Sequence, residues 1–209
     1  MSASFAPISE RSYPAALSAA YQAQIPRHFP ASEVRPFDPA RQMPGGEVPM
    51  LDVQTLLGEN RYAAFGAYDG GALAAYAFLC WDEHGTALLD YLAVMEDYRC
   101  HGVGSLMMNY LLSGSTALPW KCLILEVDDP DFAGDVAELT IRLRRNAFYH
   151  RAGLRESRVR VQLFGARYRI FTDAHGLSDE ALLARVRAMY PQLVPPEKLT
   201  RERWQTEIK

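Results

Sequence analysis

Between residues 88 and 112 the chain reads LLDYLAVMEDYRCHGVGSLMMNYLL. An apolar run leads into Glu96-Asp97-Tyr98, then into Arg99-Cys100-His101-Gly102-Val103-Gly104-Ser105, then into an apolar pattern with helical spacing. Glycine at 102 and 104 lets the backbone turn tightly and leaves its N–H groups uncovered. Those groups open a helix, where the macrodipole adds positive potential, so the turn is an anion site fit for a phosphate or pyrophosphate. Arg99 adds a cation at the rim. His101 would contribute its backbone N–H, and Cys100 is assigned no chemistry. The dinucleotide fingerprint GxGxxG is incomplete, because Met107 holds the third glycine's place. The Walker A signature is absent, because no Gly-Lys-Ser/Thr follows. On these residues alone, the turn is equally a glycine-rich helix start with no ligand.

The elements that must position this turn follow from periodicity and breakers. Pro14–Ile25 has helical spacing. Prolines 26, 30, 36, 39, 44 and 49 then exclude a long regular element and imply a loop-rich flap, followed by a helical turn near Asp52–Leu57. Arg61–Tyr68, Ala72–Trp81 and Thr86–Met95 read as strands joined at Asp69-Gly70-Gly71 and Asp82-Glu83-His84-Gly85, an antiparallel meander. In the next helix, Val103, Leu106, Met107, Tyr110 and Leu111 form one apolar face ending by Ser113-Gly114. Cys122–Val127 is a short buried strand, and the strand–helix–strand order across 86–127 implies a parallel pair. A second long helix covers Val136–Ala152 and ends at Gly153. Val159–Leu163 and Arg167–Thr172 flank Phe164-Gly165-Ala166 as a closing hairpin. Ser178 caps a last helix to about Tyr190, and Pro191, Pro195 and Pro196 end it, leaving a polar tail.

Composition bounds the rest. The 209 residues are 49% apolar and 22% charged, which excludes a disordered chain, a coiled coil or a collagen-like fibre. A net charge of -3 implies no general nucleic-acid affinity. Cys80, Cys100 and Cys122 have no metal-ligand spacing and read as free thiols, and no metal is expected. No apolar run is long enough to span a membrane. The first residues lack the basic start of a secretory signal, so a cytoplasmic location is expected.

A second feature joins the glycine turn: Asn146-Ala147-Phe148-Tyr149-His150-Arg151-Ala152-Gly153-Leu154. The Arg-x-x-Gly-x-Gly turn and the Phe-Tyr-x-x-x-Gly helix end, in this element order, resemble the GNAT acyltransferase superfamily over about residues 10–175. The resemblance implies a mixed α/β fold with a mostly antiparallel sheet, a parallel fourth/fifth strand pair and helices on both faces. It implies a single domain over 1–209: a flap at 1–60, an acyl-CoA-binding core at 61–173, and a C-terminal helix and tail at 174–209. His28-Phe29-Pro30, Glu33, Pro36 and Met189-Tyr190-Pro191 look like a bacterial subgroup of unassigned acceptor. Two departures stand out. Arg142 occupies the position where many members carry an Asn, and Leu154 replaces a common Phe.

The resemblance assigns roles. Acetyl-CoA is the expected donor, its pyrophosphate at Arg99–Ser105 and its pantetheine along Leu92, Ala93 and Val94, where a backbone N–H would hold the oxyanion. Tyr149 would give a proton to the departing thiolate. Glu126 would take the amine proton, or else is an acid paired with Arg142 or Arg145; Asp90 is the alternative base. Arg142 and Arg145 share a helix face with Tyr149 and would meet CoA phosphates or form a solvated basic stripe. Six carboxylates between 126 and 138, with no Lys or Arg among them, would attract a cationic amine or form a solvated acidic loop. The expected activity is acetyl transfer to a small-molecule or peptide amine by direct attack in a ternary complex, by a monomer or homodimer. The other class is a non-catalytic acyl-CoA-binding sensor on the same fold.

Overall fold

Alanines, aromatics and leucine fill Ala72–Trp81 with no polar break, and that segment becomes a strand whose residues from Ala74 onward are all buried. A strand covered on both faces belongs in the interior of a sheet. The computed structural model describes residues 4–7, 23–29, 34–37, 50–114 and 120–209. The chain groups into two compact units, Met1–Cys80 with Asp90–Thr116, and Trp81–Leu89 with Ala117–Lys209.

In the first unit, β1 (Ser4–Pro7) pairs antiparallel with β2 (Tyr62–Asp69), and β2 with β3 (Ala72–Trp81). The β2–β3 turn uses Gly70 and Gly71, both at positive φ. β4 (Thr86–Val94) follows, its residues from Asp90 onward belonging to this unit. Past its end, the Met95 N–H donates to the Ala74 carbonyl at 2.9 Å. Counting antiparallel steps from that bond sets Tyr76 opposite Ala93. The unit also holds α1 (Val53–Gly58), capped by the Asp52 carboxylate, and α2 (Val103–Leu112). Residues 23–28 are also helical, so the end of the predicted Pro14–Ile25 helix is described; residues 14–22 lie outside the described residues. The buried face of α2 is Val103, Met107, Met108 and Leu111. Leu106, expected on that face, is 39% exposed, and Met108 takes its place.

The flap is tied to the sheet by a buried ion pair. Arg35 donates from Nε and Nη2 to Asp90 Oδ2 and Oδ1 at 2.9 and 3.1 Å. The Tyr62 hydroxyl donates to Oδ2 at 3.1 Å, and Arg35 Nη1 donates to the Leu51 carbonyl at 2.8 Å. The Arg35 backbone N–H reaches the Tyr91 hydroxyl at 2.6 Å. The side chains are 1% and 7% exposed. Burial alone would lower the Arg35 pKa; the Asp90 carboxylate outweighs it and holds the guanidinium well above its ordinary value.

In the second unit, the first residues of β4 run parallel to β5 (Cys122–Asp128), from Thr86↔Cys122 to Leu88↔Ile124. The register ends there, although β4 continues to Val94 and β5 to Asp128. β5 pairs antiparallel with β7 (Ala166–Thr172), which pairs with β6 (Arg155–Leu163) across a turn with Phe164 and Gly165 at positive φ. α3 (Val136–Arg151) and α4 (Asp179–Leu193) flank these strands, capped by Asp135 and Ser178. The fold is mixed α/β with a mostly antiparallel sheet and a parallel β4–β5 pair, as expected. No helix among the described residues is long and apolar enough to cross a membrane.

The C-terminal reading is corrected. α4 runs through Pro191 to Leu193, and the tail forms β8 (Trp204–Ile208), paired antiparallel with β6 from Val159↔Ile208 to Leu163↔Trp204. Pro191 lies in the last turn of the helix, where its missing N–H removes one intrahelical bond near the end and leaves the turns before it intact. The tail's alternation Trp204, Thr206, Ile208 against Gln205 and Glu207 is a strand pattern.

Removing one partner of a buried pair strands the other charge. Arg35→Met should destabilise the protein by about 3–5 kcal/mol in urea unfolding, and the double change Arg35→Met/Asp90→Leu should recover most of that loss. A single variant as stable as the parent would show that the pair does not anchor the flap.

Candidate active site

In the first unit the glycine turn folds as its residue types require. Glu96–Tyr98 makes a single 3-10 turn, and the Arg99 N–H bonds the Glu96 carbonyl at 3.1 Å. Arg99 Nε reaches back to the Val94 carbonyl at 3.3 Å, tying the turn to the end of β4. Cys100 and Gly102 both take left-handed conformations, φ 63° and 79°. A side chain is strained there, which explains the glycine at 102; Cys100 bears the strain. Gly102 is the N-cap of α2 and supplies no side-chain acceptor. The first-turn N–H groups of Val103, Gly104 and Ser105 are therefore left for an external acceptor. A Cβ built on Gly102 would meet no atom within 4 Å, so the backbone stands open to an approaching group. Arg99, Cys100, His101, Gly102 and Ser105 are exposed, and Val103 is buried as the anchor of α2. Ala93 is buried and Leu92 and Val94 are half-buried.

In the second unit the Phe-Tyr-x-x-x-Gly pattern has a mechanical reason. Gly153 adopts φ 87° and ends α3, and the Leu154 N–H bonds the Tyr149 carbonyl at 3.1 Å. That closure fixes Tyr149 in the last turns of the helix. Its ring packs against Phe148 and Phe171, with centroids 5.1 and 6.0 Å apart. Burial pushes the Tyr149 hydroxyl up to about 12, with Arg145 pulling it down and Asp128 adding to the rise. The group is a neutral phenol, and hence a proton or hydrogen-bond donor, throughout the physiological range.

Glu126 lies on β5 opposite Ile170 and accepts a short hydrogen bond from the Tyr190 hydroxyl of α4. A carboxylate in an apolar strand needs such a partner. The sequence signals the need but not a partner 64 residues away. Pairing with Arg142 or Arg145 is not what forms. Arg142 donates to the Glu138 carboxylate and the Asp129 carbonyl, each at 2.6 Å, and Arg145 pairs with Asp128. The expected common face of these arginines does exist, and it meets the connection after β5.

The acidic stretch is tied down by ion pairs and a helix cap. Asp129 is 3% exposed and accepts from Arg169 at 2.7 Å; Asp131 pairs with Arg169 at 3.1 Å. Asp135 caps α3. Arginines from α3 and β7 thus pair with several of these charges. Asp90, the alternative base, accepts from Arg35 and Tyr62 on its two oxygens.

The first unit thus carries a glycine-opened helix N-terminus after β4, and the second unit carries a phenol at the end of the helix after β5. Residues 23–134, more than half of the chain, match the acetyltransferase (GNAT) family, and the protein belongs to that family. No curated protein matches it. Solved structures share the fold. A GNAT-family protein from Bacteroides thetaiotaomicron is 17% identical over 88% of this chain and 94% of its own, with a TM-score of 0.59. An N-acetyltransferase from Staphylococcus aureus Mu50 is 10% identical over 82% and 97%, with a TM-score of 0.52.

The raised Tyr149 pKa makes a stability statement. The unfolded phenol ionises near pH 10, whereas the folded one stays neutral to about 12. Its contribution is intact below pH 10 and is lost as pH rises toward 12, by up to about 2–3 kcal/mol. Urea midpoints between pH 9 and 12 should fall less steeply in Tyr149→Phe than in the parent. Parallel curves would contradict the burial of this hydroxyl.

Proposed function

We propose that the protein is an N-acetyltransferase that moves an acetyl group from acetyl-CoA to a primary amine by direct attack in a ternary complex. The observation that supports this most is the glycine turn after β4. Its N–H groups, its open left-handed Gly102 and Arg99 at its rim fit a pyrophosphate. Acetyl-CoA supplies the activated thioester. Val103, Gly104 and Ser105 would hold the pyrophosphate through backbone N–H groups, with Cys100 and His101 completing the turn. Leu92, Ala93 and Val94 continue β4 beyond its register with β5, so their backbone is suited to pair with the pantetheine amides. An N–H in this segment would bind the oxygen that gains charge as the amine attacks, worth ~2.7–4 kcal/mol of transition-state stabilisation.

Tyr149 would donate to the departing sulfur. A phenol near 12 faces a thiol of ordinary pKa ~8.5, so full transfer is uphill by ~5 kcal/mol. Tyr149 therefore acts best as a hydrogen-bond donor to the thiolate, assisting a leaving group that is already fair. Glu126, oriented by Tyr190, would accept a proton from the acceptor nitrogen. Arg142 and Arg145 would approach the outer CoA phosphates only by giving up their present partners, Glu138 and Asp128. The acceptor is a small-molecule or peptide amine.

Two measurements test this. CoA release should be followed with acetyl-CoA and a panel of spermidine, lysine, kanamycin and an alanine-initiated tripeptide, beside calorimetry with acetyl-CoA. Turnover on any amine supports the enzyme; binding without turnover on every one supports the sensor. Gly102→Asp sets a carboxylate where the pyrophosphate should lie and should weaken acetyl-CoA binding ~100-fold, ~2.7 kcal/mol. Gly102→Ala, which adds backbone strain without charge, should bind nearly as the parent does. Equal binding by the aspartate variant would remove the phosphate assignment. Tyr149→Phe should lower kcat ~10- to 100-fold, by the same factor from pH 6 to 10. A ratio that changes across that range would mean that the hydroxyl ionises in turnover.

A further inference from the structure

In the first unit a histidine of the flap reaches the sheet and is used by nothing described so far. His28 Nδ1 is 2.9 Å from the hydroxyl of Tyr76, with ring centroids 5.7 Å apart. Tyr76 is 1% exposed, and counting from the Met95–Ala74 bond sets it on β3 across from Ala93, the middle residue of the segment proposed to carry the thioester. His28 itself is half-buried. Around it, the field comes from Glu96 and Arg99 in the turn that follows β4, from Arg27 on its own helix, and from the Gln24 carbonyl one turn back.

The chemistry needs such a group. An amine that arrives as an ammonium ion loses two protons from nitrogen on its way to an amide. One leaves before attack, because the lone pair must be free. The second leaves as the N–C bond forms and the C–S bond breaks. The thiolate takes up one proton, and the other goes to solvent. Glu126, held by Tyr190, accounts for one acceptor, and the other proton needs a second.

We infer that His28, positioned by Tyr76, is the acceptor of one of the two protons that leave the nitrogen of the attacking amine. The inference rests on the acetyl-transfer reading above. With Nδ1 engaged by Tyr76, the Nε2 lone pair takes the proton, and the resulting imidazolium passes it to solvent. Tyr76 suits the part of holder: burial raises its pKa beyond the alkaline range, so it stays a neutral phenol, and in the tautomer the inference requires its oxygen accepts from Nδ1–H. Burial, followed by Arg99, lowers the His28 pKa from 6.5, with smaller opposing effects from the Gln24 carbonyl and Glu96. His28 is therefore neutral, and able to accept, at pH 7.

The test is the pH dependence of kcat with acetyl-CoA and the best amine of the panel, for the parent, His28→Gln, His28→Asn and Tyr76→Phe. Calorimetry with acetyl-CoA and circular dichroism accompany each variant. The parent should lose activity on acidification through a midpoint below 6.5. Both His28 variants should bind acetyl-CoA within twofold of the parent, lose ~100-fold in kcat at pH 7.5, and lack that acidic limb. Tyr76→Phe should keep the limb but shift its midpoint, a change that a purely structural role would not produce. Folded His28 variants that keep the parent's rate and limb would overturn the inference while leaving acetyl transfer intact. A parent that fails to bind acetyl-CoA, or binds it without turnover, would overturn the acetyl-transfer reading and this inference with it.

Discussion

The Arg35–Asp90 pair is the constraint on which the first unit depends. Two charges taken out of water are costly unless every donor and acceptor is used, and here the guanidinium meets Asp90 and the Leu51 carbonyl while the carboxylate also receives Tyr62. The geometry specifies one arrangement. Among the described residues of the proline-rich segment, Ile25, Val34 and Phe37 are buried by apolar packing, and Arg35 adds a directional bond to the first residue of the half of β4 that leads to the glycine turn. Apolar packing alone would tolerate sliding; a bidentate pair does not. The same segment delivers His28 to Tyr76 and Phe29 to Tyr91, with ring centroids 4.8 Å apart in the latter case.

Electrostatic compensation recurs in the second unit with another purpose. The connection from β5 to α3 is acidic in sequence, yet arginines from β6, β7 and α3 converge on it. Arg169 alone meets Asp129, Asp131 and Glu156. Charged groups at the surface contribute little singly, but a network with Asp129 buried at its centre holds the connection in one shape. That connection sets where α3 begins, and Gly153 sets where it ends, so Tyr149 is located from both directions.

Most of the fold was legible because its signals are local. The meander, α2, β5 and α3 follow from apolar runs, Gly-rich turns and capping residues within a few positions of each element. The glycine turn and Tyr149 were legible for the same reason. What escaped the sequence depends on pairs far apart in the chain. Asp90 read as a base because its partner lies 55 residues earlier, in a stretch whose prolines suggested only loop. Glu126 could be seen to need a partner, but Tyr190 could not be chosen over Arg142. β8 was hidden behind Pro191 and Pro195-Pro196, which mark a helix end in sequence and here precede an edge strand. Exposure on α2 was misassigned at Leu106 because helical spacing gives a face and not its width.

The pairing of β8 with β6 bears on the order in which the chain acquires its structure during synthesis. The first unit draws on nothing beyond Thr116 and has all its residues available while the rest is still being made. The second unit includes Trp81–Leu89, yet its β6 edge is covered only by Trp204–Ile208. Residues 81–89 therefore emerge more than a hundred positions before the strand that finishes their own unit. Through that interval the exposed edge of β6 is the place where a nascent chain could pair wrongly, with another strand or another copy of itself. Translation speed between β6 and β8 would then govern how long that edge stays open.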